Sequence, residues 1–87
     1  MLFRSLAPAR FDLLVELVSH PHTLRTFAQL HRIARPRVTS VDAPHIAHAV
    51  TEHIRMIRLV VESTPHRPQW IRTVRGVGYV FEPELEL

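Results

Sequence analysis

The chain contains no cysteine and no lysine, and it has only two glycines among its 87 residues. Without cysteine, neither a disulfide framework nor a thiolate site is available. Two glycines are too few to build a glycine-rich loop that cradles phosphate. No apolar run approaches the roughly 20 residues that cross a bilayer, and the N-terminus lacks the apolar segment of a signal peptide. These absences predict a cytoplasmic protein with no membrane partner.

The rest of the composition is that of an ordinary globular domain with a basic bias. Hydrophobic residues make up 46% of the chain and charged residues 22%, which fits one domain over residues 1–87 with a modest core. Three of the eight acidic residues lie in the final EPELEL, so residues 83–87 are predicted to be an acidic tail. Residues 1–81 hold eleven arginines against five acidic residues, a net charge of +6 with neutral histidines. This excess favours a polyanion as partner.

Two helices are predicted in the first half of the chain. Pro8 suits the first turn of a helix that runs to about Ser19. Its apolar stripe at helical spacing consists of Phe11, Leu14, Val15 and Val18. Thr26 and Gln29 have the spacing of a capping box, which opens a second, short helix that must end before Pro36.

A third, longer helix and a hairpin are predicted in the second half. Asp42 is a good N-cap for a helix that runs to about Glu62. Its apolar stripe consists of Ile46, Val50, Ile54, Ile57 and Val61. After a loop with two prolines, IRTVRGVGYVF at 71–81 places β-branched and aromatic residues on both sides of two glycines, which is typical of a β-hairpin.

The order of these elements predicts an α+β, mainly helical domain. The second and third helices suit a helix-turn-helix, and the hairpin then becomes a wing beside it, with arginine at its tip. We therefore expect a winged helix-turn-helix fold with three helices and a C-terminal β-hairpin. The expected common core consists of Phe11, Leu14, Leu30, Ile54, Ile57, Trp70 and Tyr79.

With these elements in place, the sequence resembles the winged helix-turn-helix effector domain of OmpR/PhoB-type bacterial response regulators. The strongest match is PHRPQWIRTVRGVGYVF at 65–81, which follows the family pattern Pro-x-x-Pro-x-x-Ile-x-Thr-Val-Arg-Gly-x-Gly-Tyr-x-Phe. Supporting matches are FDLLVEL at 11–17, the segment Thr26–Leu30, and VTEHIRMIRLVVE at 50–62. The resemblance covers residues 6–82 and implies a transcriptional regulator that binds double-stranded DNA.

Several features depart from the family pattern. We expect no receiver domain ahead of the module, and therefore a stand-alone protein controlled through expression, dimerisation or another chain. The family's N-terminal sheet is reduced to at most one strand in LFRSL, and the stretch between Leu30 and Val50 is longer than usual and lacks a Trp-Gly pair. Apolar side chains replace the usual basic residues of the long helix at Met56, Leu59 and Val60, and Val80 replaces a common arginine.

The resemblance implies which residues contact DNA. Thr73 and Arg75 match wing positions that contact the backbone and the minor groove, and Arg75 would bring a cation to the negative potential there. On the long helix, Glu52 faces outward and can accept a hydrogen bond from a cytosine amine. The predicted DNA-binding residues are His48, Arg55, Arg58, Arg72, Thr73 and Arg75, with Arg35 and Arg37 as further candidates in the loop after the second helix.

A second hypothesis is a protein-protein interaction or dimerisation module that has lost most DNA contacts. In that case Met56, Leu59 and Val60 form an exposed apolar patch for another protein. The expected partners are a second copy of the chain, and RNA polymerase or another regulator.

The residues His45, His48 and Glu52 have helical spacing for a metal site, but ordinary polar histidines on the surface explain them better. We therefore expect no metal, no cofactor and no enzymatic activity.

Overall fold

The computed structural model describes residues 6–38 and 42–83 and contains three helices and three short strands over these residues. In chain order they are α1 (Pro8–Ser19), β1 (Arg25–Thr26), α2 (Phe27–Ala34), α3 (Ala43–Val61), β2 (Ile71–Val74) and β3 (Gly78–Phe81). This confirms the predicted α+β, mainly helical class. The strand expected in LFRSL, part of the loop before Asp42 and most of the acidic tail lie outside the described residues.

The helix bounds follow from the capping signals in the sequence. The Thr26 hydroxyl accepts from the Gln29 backbone N–H at 3.2 Å, and the Gln29 side chain accepts from the Thr26 N–H at 2.9 Å. The Asp42 carboxylate accepts from the His45 N–H at 2.9 Å. Both caps satisfy N–H groups that a helix leaves unpaired at its first turn, so the predicted starts of α2 and α3 are confirmed.

The sheet is larger than predicted because a third strand joins the hairpin. β2 and β3 pair antiparallel with Thr73 opposite Tyr79, as expected for a wing. β1 pairs with the other side of β3, which gives the strand order β1-β3-β2 and places Thr26 opposite Gly78. A strand of two residues has no alternation to detect, so sequence periodicity could not reveal β1.

One buried cluster joins the three helices to the sheet. Its members are Leu13, Leu14, Leu17, Leu30, Ala34, Val50, Ile54, Ile57, Ile71 and Tyr79. The predicted stripe of α3 is confirmed, since Ile46 and Val61 also pack against this cluster. The predicted stripe of α1 is confirmed at Leu14 and wrong at its other three positions: Phe11, Val15 and Val18 are 44–46% exposed. Apolar residues cover more than half of α1, and packing against the neighbouring elements selects the face that carries Leu13 and Leu17.

Trp70 also lies outside the buried cluster, contrary to the prediction. Its ring is half-buried and stacks on Phe81, with centroids 6.3 Å apart and the planes inclined at 21°. Tyr79 takes the central position instead, 3% exposed and edge-to-face with Phe27 at 5.9 Å. Trp70 lies just before β2 and Tyr79 lies in the central strand, so the packing of the folded chain decides which aromatic ring enters the core.

Candidate nucleic-acid interface

The outer surface of α3 carries a row of exposed side chains opposite its buried stripe. His48, Glu52, Arg55 and Leu59 all lie on this surface, and Leu59 is 54% exposed. These positions recur at intervals of three or four residues, so they share one helical face. The expected outward face of the long helix is therefore present, although it combines a basic, an acidic and an apolar group.

Glu52 and Arg55 form a bidentate pair on this surface. Arg55 Nε lies 3.2 Å from both Glu52 carboxylate oxygens, and Arg55 Nη2 also donates to Oε1. The hydrogen bond to Arg55 lowers the pKa of Glu52, and the same contact raises the pKa of Arg55. Both groups are thus charged at neutral pH, and the pair presents donors and acceptors side by side at the helix surface.

The tip of the hairpin is a tight turn that exposes an arginine. The Val77 N–H donates to the Val74 carbonyl oxygen at 2.9 Å, and Gly76 has φ of +76°, which an L side chain adopts with strain. Arg75 lies in this turn and is exposed. Arg72, on β2, faces solvent and lies 3.6 Å from the Glu82 carboxylate. The wing therefore presents two arginines, one at its tip and one along its first strand.

Arg58 connects α3 to the wing. Its Nη2 atom donates to the Ile71 carbonyl oxygen at 2.6 Å and to the Thr73 hydroxyl oxygen at 2.9 Å. The guanidinium also lies 5.4 Å from the centroid of the Tyr79 ring. Burial lowers the pKa of Arg58, which nevertheless remains charged, as arginine does in proteins. The predicted site residues Arg58 and Thr73 are thus brought into direct contact with each other.

Glu62 is a central residue that the sequence interpretation missed. It is 7% exposed and follows the last residue of α3. Its carboxylate accepts from the backbone N–H groups of Gln69 at 2.9 Å, Trp70 at 3.0 Å and Ile71 at 2.8 Å. These bonds fix the chain where it enters β2. The available signal was an acidic residue at the end of an apolar helix stripe, before a loop whose N–H groups need acceptors.

His53 lies on the side of α3 that faces α1. Arg10 Nε donates to His53 Nδ1 at 3.2 Å, which requires that nitrogen to be unprotonated. Burial lowers the pKa of His53 below its ordinary value of 6.5, and the nearby positive charge of Arg10 lowers it further. The folded domain therefore favours neutral His53.

This preference predicts a loss of stability on acidification. The folded pKa of His53 lies below the unfolded value, so its contribution is fully present above about pH 6.5 and is lost as pH falls through the folded pKa. We expect Tm to fall more between pH 7.5 and pH 5 for the wild type than for His53→Gln. Calorimetry at the two pH values measures this difference. The control His66→Gln, in an exposed loop, should retain the wild-type pH response; equal responses for all three proteins would contradict the prediction.

The remaining predicted residues lie just after α2 or on α3 itself. Arg35 is the C-cap of α2 and Arg37 lies in the turn after it; both are exposed. In the predicted apolar patch, Met56 and Val60 are half-buried, so Leu59 supplies most of the exposure.

Within residues 6–38 and 42–83, no group of three or more His, Asp or Glu side chains has a metal-binding arrangement. In the same residues, no helix is both long and apolar enough to cross a membrane.

The helix pair α2–α3, the exposed face of α3 and the arginine-tipped hairpin define the class of this domain, a winged helix-turn-helix. Residues 4–81 match the family model described as "Transcriptional regulatory protein, C terminal", and the chain belongs to this family. The match confirms the resemblance to the OmpR/PhoB-type effector domain.

Individual relatives agree with this assignment. Over 79 residues, 91% of this chain, the sequence is 37% identical to the DNA-binding response regulator MtrA of Mycolicibacterium smegmatis. It is 35% identical over the same length to the proteins of that name from Mycolicibacterium paratuberculosis and Mycobacterium leprae. The chain spans about one third (33%) of the length of these relatives.

Proposed function

We propose that this chain binds double-stranded DNA as part of a transcriptional regulator, with α3 in the major groove and the wing in the adjacent minor groove. The observation that carries this proposal is the placement of Arg75 on the exposed tip of a hairpin attached directly to α3. A wing held beside a helix that enters the major groove is placed to contact the neighbouring part of the DNA. Family membership and the basic excess of residues 1–81 support the same function.

The outer face of α3 would read base edges. Arginine pairs with guanine O6 and N7, and a glutamate accepts from cytosine N4. The paired side chains of Arg55 and Glu52 therefore suit a single C·G base pair, each contacting one base. His48, nearer the start of α3, would contact a phosphate or a neighbouring base. Because Glu52 repels phosphate, this surface favours sequence-selective over non-specific binding.

The wing would supply contacts to the DNA backbone and the minor groove. Arg75 would enter the minor groove, where negative potential is concentrated. Thr73 accepts from Arg58, so its hydroxyl hydrogen is available to donate to a phosphate. Arg72 would exchange Glu82 for a phosphate at small cost, because exposed ion pairs contribute only about 0–1 kcal/mol. Arg35 and Arg37 would reach the backbone beside the start of α3.

The regulator would act as a homodimer in the cytoplasm. Winged and helix-turn-helix domains read operators in pairs of half-sites. The exposed apolar side chains of α1, Phe11, Val15 and Val18, offer a surface that a second copy would cover. RNA polymerase or another regulator would be the further protein partner. We propose no catalytic activity for this domain.

The central test is Arg75→Ala. We expect DNA binding to weaken by about 1–3 kcal/mol, because an arginine contact in the groove is lost. The slope of log K against log salt should fall by about one unit, since one phosphate neutralisation disappears. Fluorescence anisotropy with mixed genomic fragments across a salt series measures both effects. Thermal stability should stay unchanged because the side chain is exposed. Absence of salt-sensitive binding by the wild type at low ionic strength would refute DNA binding.

The exposure of Leu59 favours a second candidate, a module that binds protein through α3. On that hypothesis Leu59→Asp abolishes a protein complex, detected by sedimentation, and Arg75→Ala changes nothing. On the DNA hypothesis, Leu59 contacts a thymine methyl group, and Leu59→Asp weakens DNA binding instead. The two variants measured together therefore distinguish the two functions.

A further inference from the structure

We propose that Arg58 is a positioning residue that sets the placement of the wing relative to α3, rather than a direct contact to DNA phosphate. The inference rests on the proposed DNA binding, because its effect is exerted through the groove contacts of Arg75. It assigns to Arg58 a role different from the direct DNA contact that the sequence predicts for it.

The first support is that two residues at the end of α3 bind the backbone of one wing residue, one at its carbonyl oxygen and one at its N–H. Arg58 donates to the carbonyl oxygen of Ile71 at 2.6 Å, and Glu62 accepts from the Ile71 N–H at 2.8 Å. Arg58 and Glu62 are four residues apart, so they share a helical face. Ile71 is the first residue of β2 and is fully buried. The start of the wing is therefore fixed to the end of the helix.

The second support is that Arg58 contacts both strands of the hairpin. Its Nη2 donates to Thr73 on β2, and its guanidinium lies over the ring of Tyr79 on β3. The Tyr79 hydroxyl in turn donates to Thr51 Oγ1 at 3.3 Å. Thr51 belongs to α3 and lies two turns before Arg58. The same side of α3 thus meets the hairpin at two points, which restricts rotation of the hairpin about the helix.

The third support is that the guanidinium is poorly placed for a phosphate. Nε is buried and has no hydrogen-bond partner among the described residues, and Nη2 already donates to two protein oxygens. With Nη2 bound to the wing, only Nη1 is left for a phosphate, so a two-donor contact would require Nη2 to leave the Ile71 carbonyl. Among the described residues, no such hydrogen bond to the wing backbone holds the side chains of the exposed residues Arg55, Arg72 and Arg75.

Arginine is suited to this role by shape as well as by charge. Its planar group donates to two acceptors and stacks on an aromatic ring simultaneously, which the compact ammonium of lysine does not do. The consequence for function is a fixed separation between α3 and Arg75. A small displacement at the base of the wing becomes a larger one at its tip, where the minor groove is narrow.

The test uses the charge-conserving variant Arg58→Lys with Arg67→Lys, on an exposed loop, as matched control. Anisotropy should show DNA binding about tenfold weaker for Arg58→Lys, a loss of about 1.4 kcal/mol, and unchanged binding for the control. In an Arg75→Ala background, Arg58→Lys should cost no more than about twofold, because the contact through which it acts is already gone. Binding by Arg58→Lys within twofold of the wild type, or losses that multiply in the double variant, would overturn the proposal.

A second measurement separates this inference from the DNA hypothesis itself. Amide hydrogen exchange of the free protein, followed by NMR, should be about tenfold faster in β2 and β3 of Arg58→Lys and unchanged in α1 and α2. Arg58→Gln serves in the same way if the lysine variant does not fold. Unchanged exchange in the wing would reject the positioning role. Failure of the wild type to bind DNA, with local wing exchange still accelerated, would reject only the proposed function.

Discussion

Gly78→Ala is expected to lower the free energy of unfolding by about 3 kcal/mol or more, because the added methyl group meets backbone atoms of β1. A Cβ atom at Gly78 would lie 2.0 Å from the Arg25 carbonyl oxygen and 2.8 Å from the Thr26 Cα atom. Both are backbone atoms of β1, so no side chain can move aside. The clash can be relieved only by separating β1 from β3, which removes the link between the sheet and the start of α2.

Gly76→Ala is the matched control for this prediction. Gly76 has open space around it but φ of +76°, so the added methyl group costs only the strain of that conformation, about 1–2 kcal/mol. Urea denaturation of both variants, followed by circular dichroism, measures the two losses. A smaller loss for Gly78→Ala than for Gly76→Ala would show that β1 does not approach β3 as closely as the structure has it.

Glu62→Ala is expected to lower the free energy of unfolding by about 3 kcal/mol. The substitution leaves three backbone N–H groups, those of Gln69, Trp70 and Ile71, without their carboxylate acceptor. Hydrogen bonds to a charged group are individually stronger than neutral ones, and unpaired N–H groups in a buried segment carry a desolvation cost. Urea denaturation measures the loss, and amide exchange should show that it begins at the entry to β2.

Glu82→Ala provides the comparison for Glu62. Glu82 has an exposed carboxylate whose ion-pair partner, Arg72, is also exposed, so its loss should change the unfolding free energy by no more than about 0.5 kcal/mol. If Glu62→Ala costs as little as Glu82→Ala, then the three N–H groups find other acceptors. In that case Glu62 does not fix the wing to α3.

Gly78 and Glu62, the two residues expected to contribute strongly to stability, both lie at or next to the wing that we propose contacts DNA. Gly78 lies in the strand that follows Arg75, and Glu62 fixes the residue at which the wing begins. Neither residue would touch DNA. Variants at both positions should nevertheless weaken DNA binding as well as folding, because the groove contact depends on where the hairpin lies.

Most secondary structure was determined by the sequence itself. Pro8, the capping box at Thr26 and the cap at Asp42 set helix starts that the structure confirms. These signals act between residues three or four positions apart, so they can be read without knowing the fold. The hairpin could also be predicted from the sequence, because Gly76 and Gly78 interrupt a β-branched run. The motif around these glycines indicated the family.

Tertiary structure alone decided which side chains α1 buries and which residues join the elements. Local spacing in α1 allows two overlapping apolar stripes, and only the positions of α2, α3 and the sheet select Leu13 and Leu17 over Phe11. β1 exists because β3 offers it a partner from a distant part of the chain. In the same way, the sequence does not distinguish Arg58 from the other arginine of its helix. Its role becomes visible only because the fold brings Ile71 and Thr73 within hydrogen-bonding distance. Contacts between residues far apart in sequence leave no periodic trace, so folding itself assigns them.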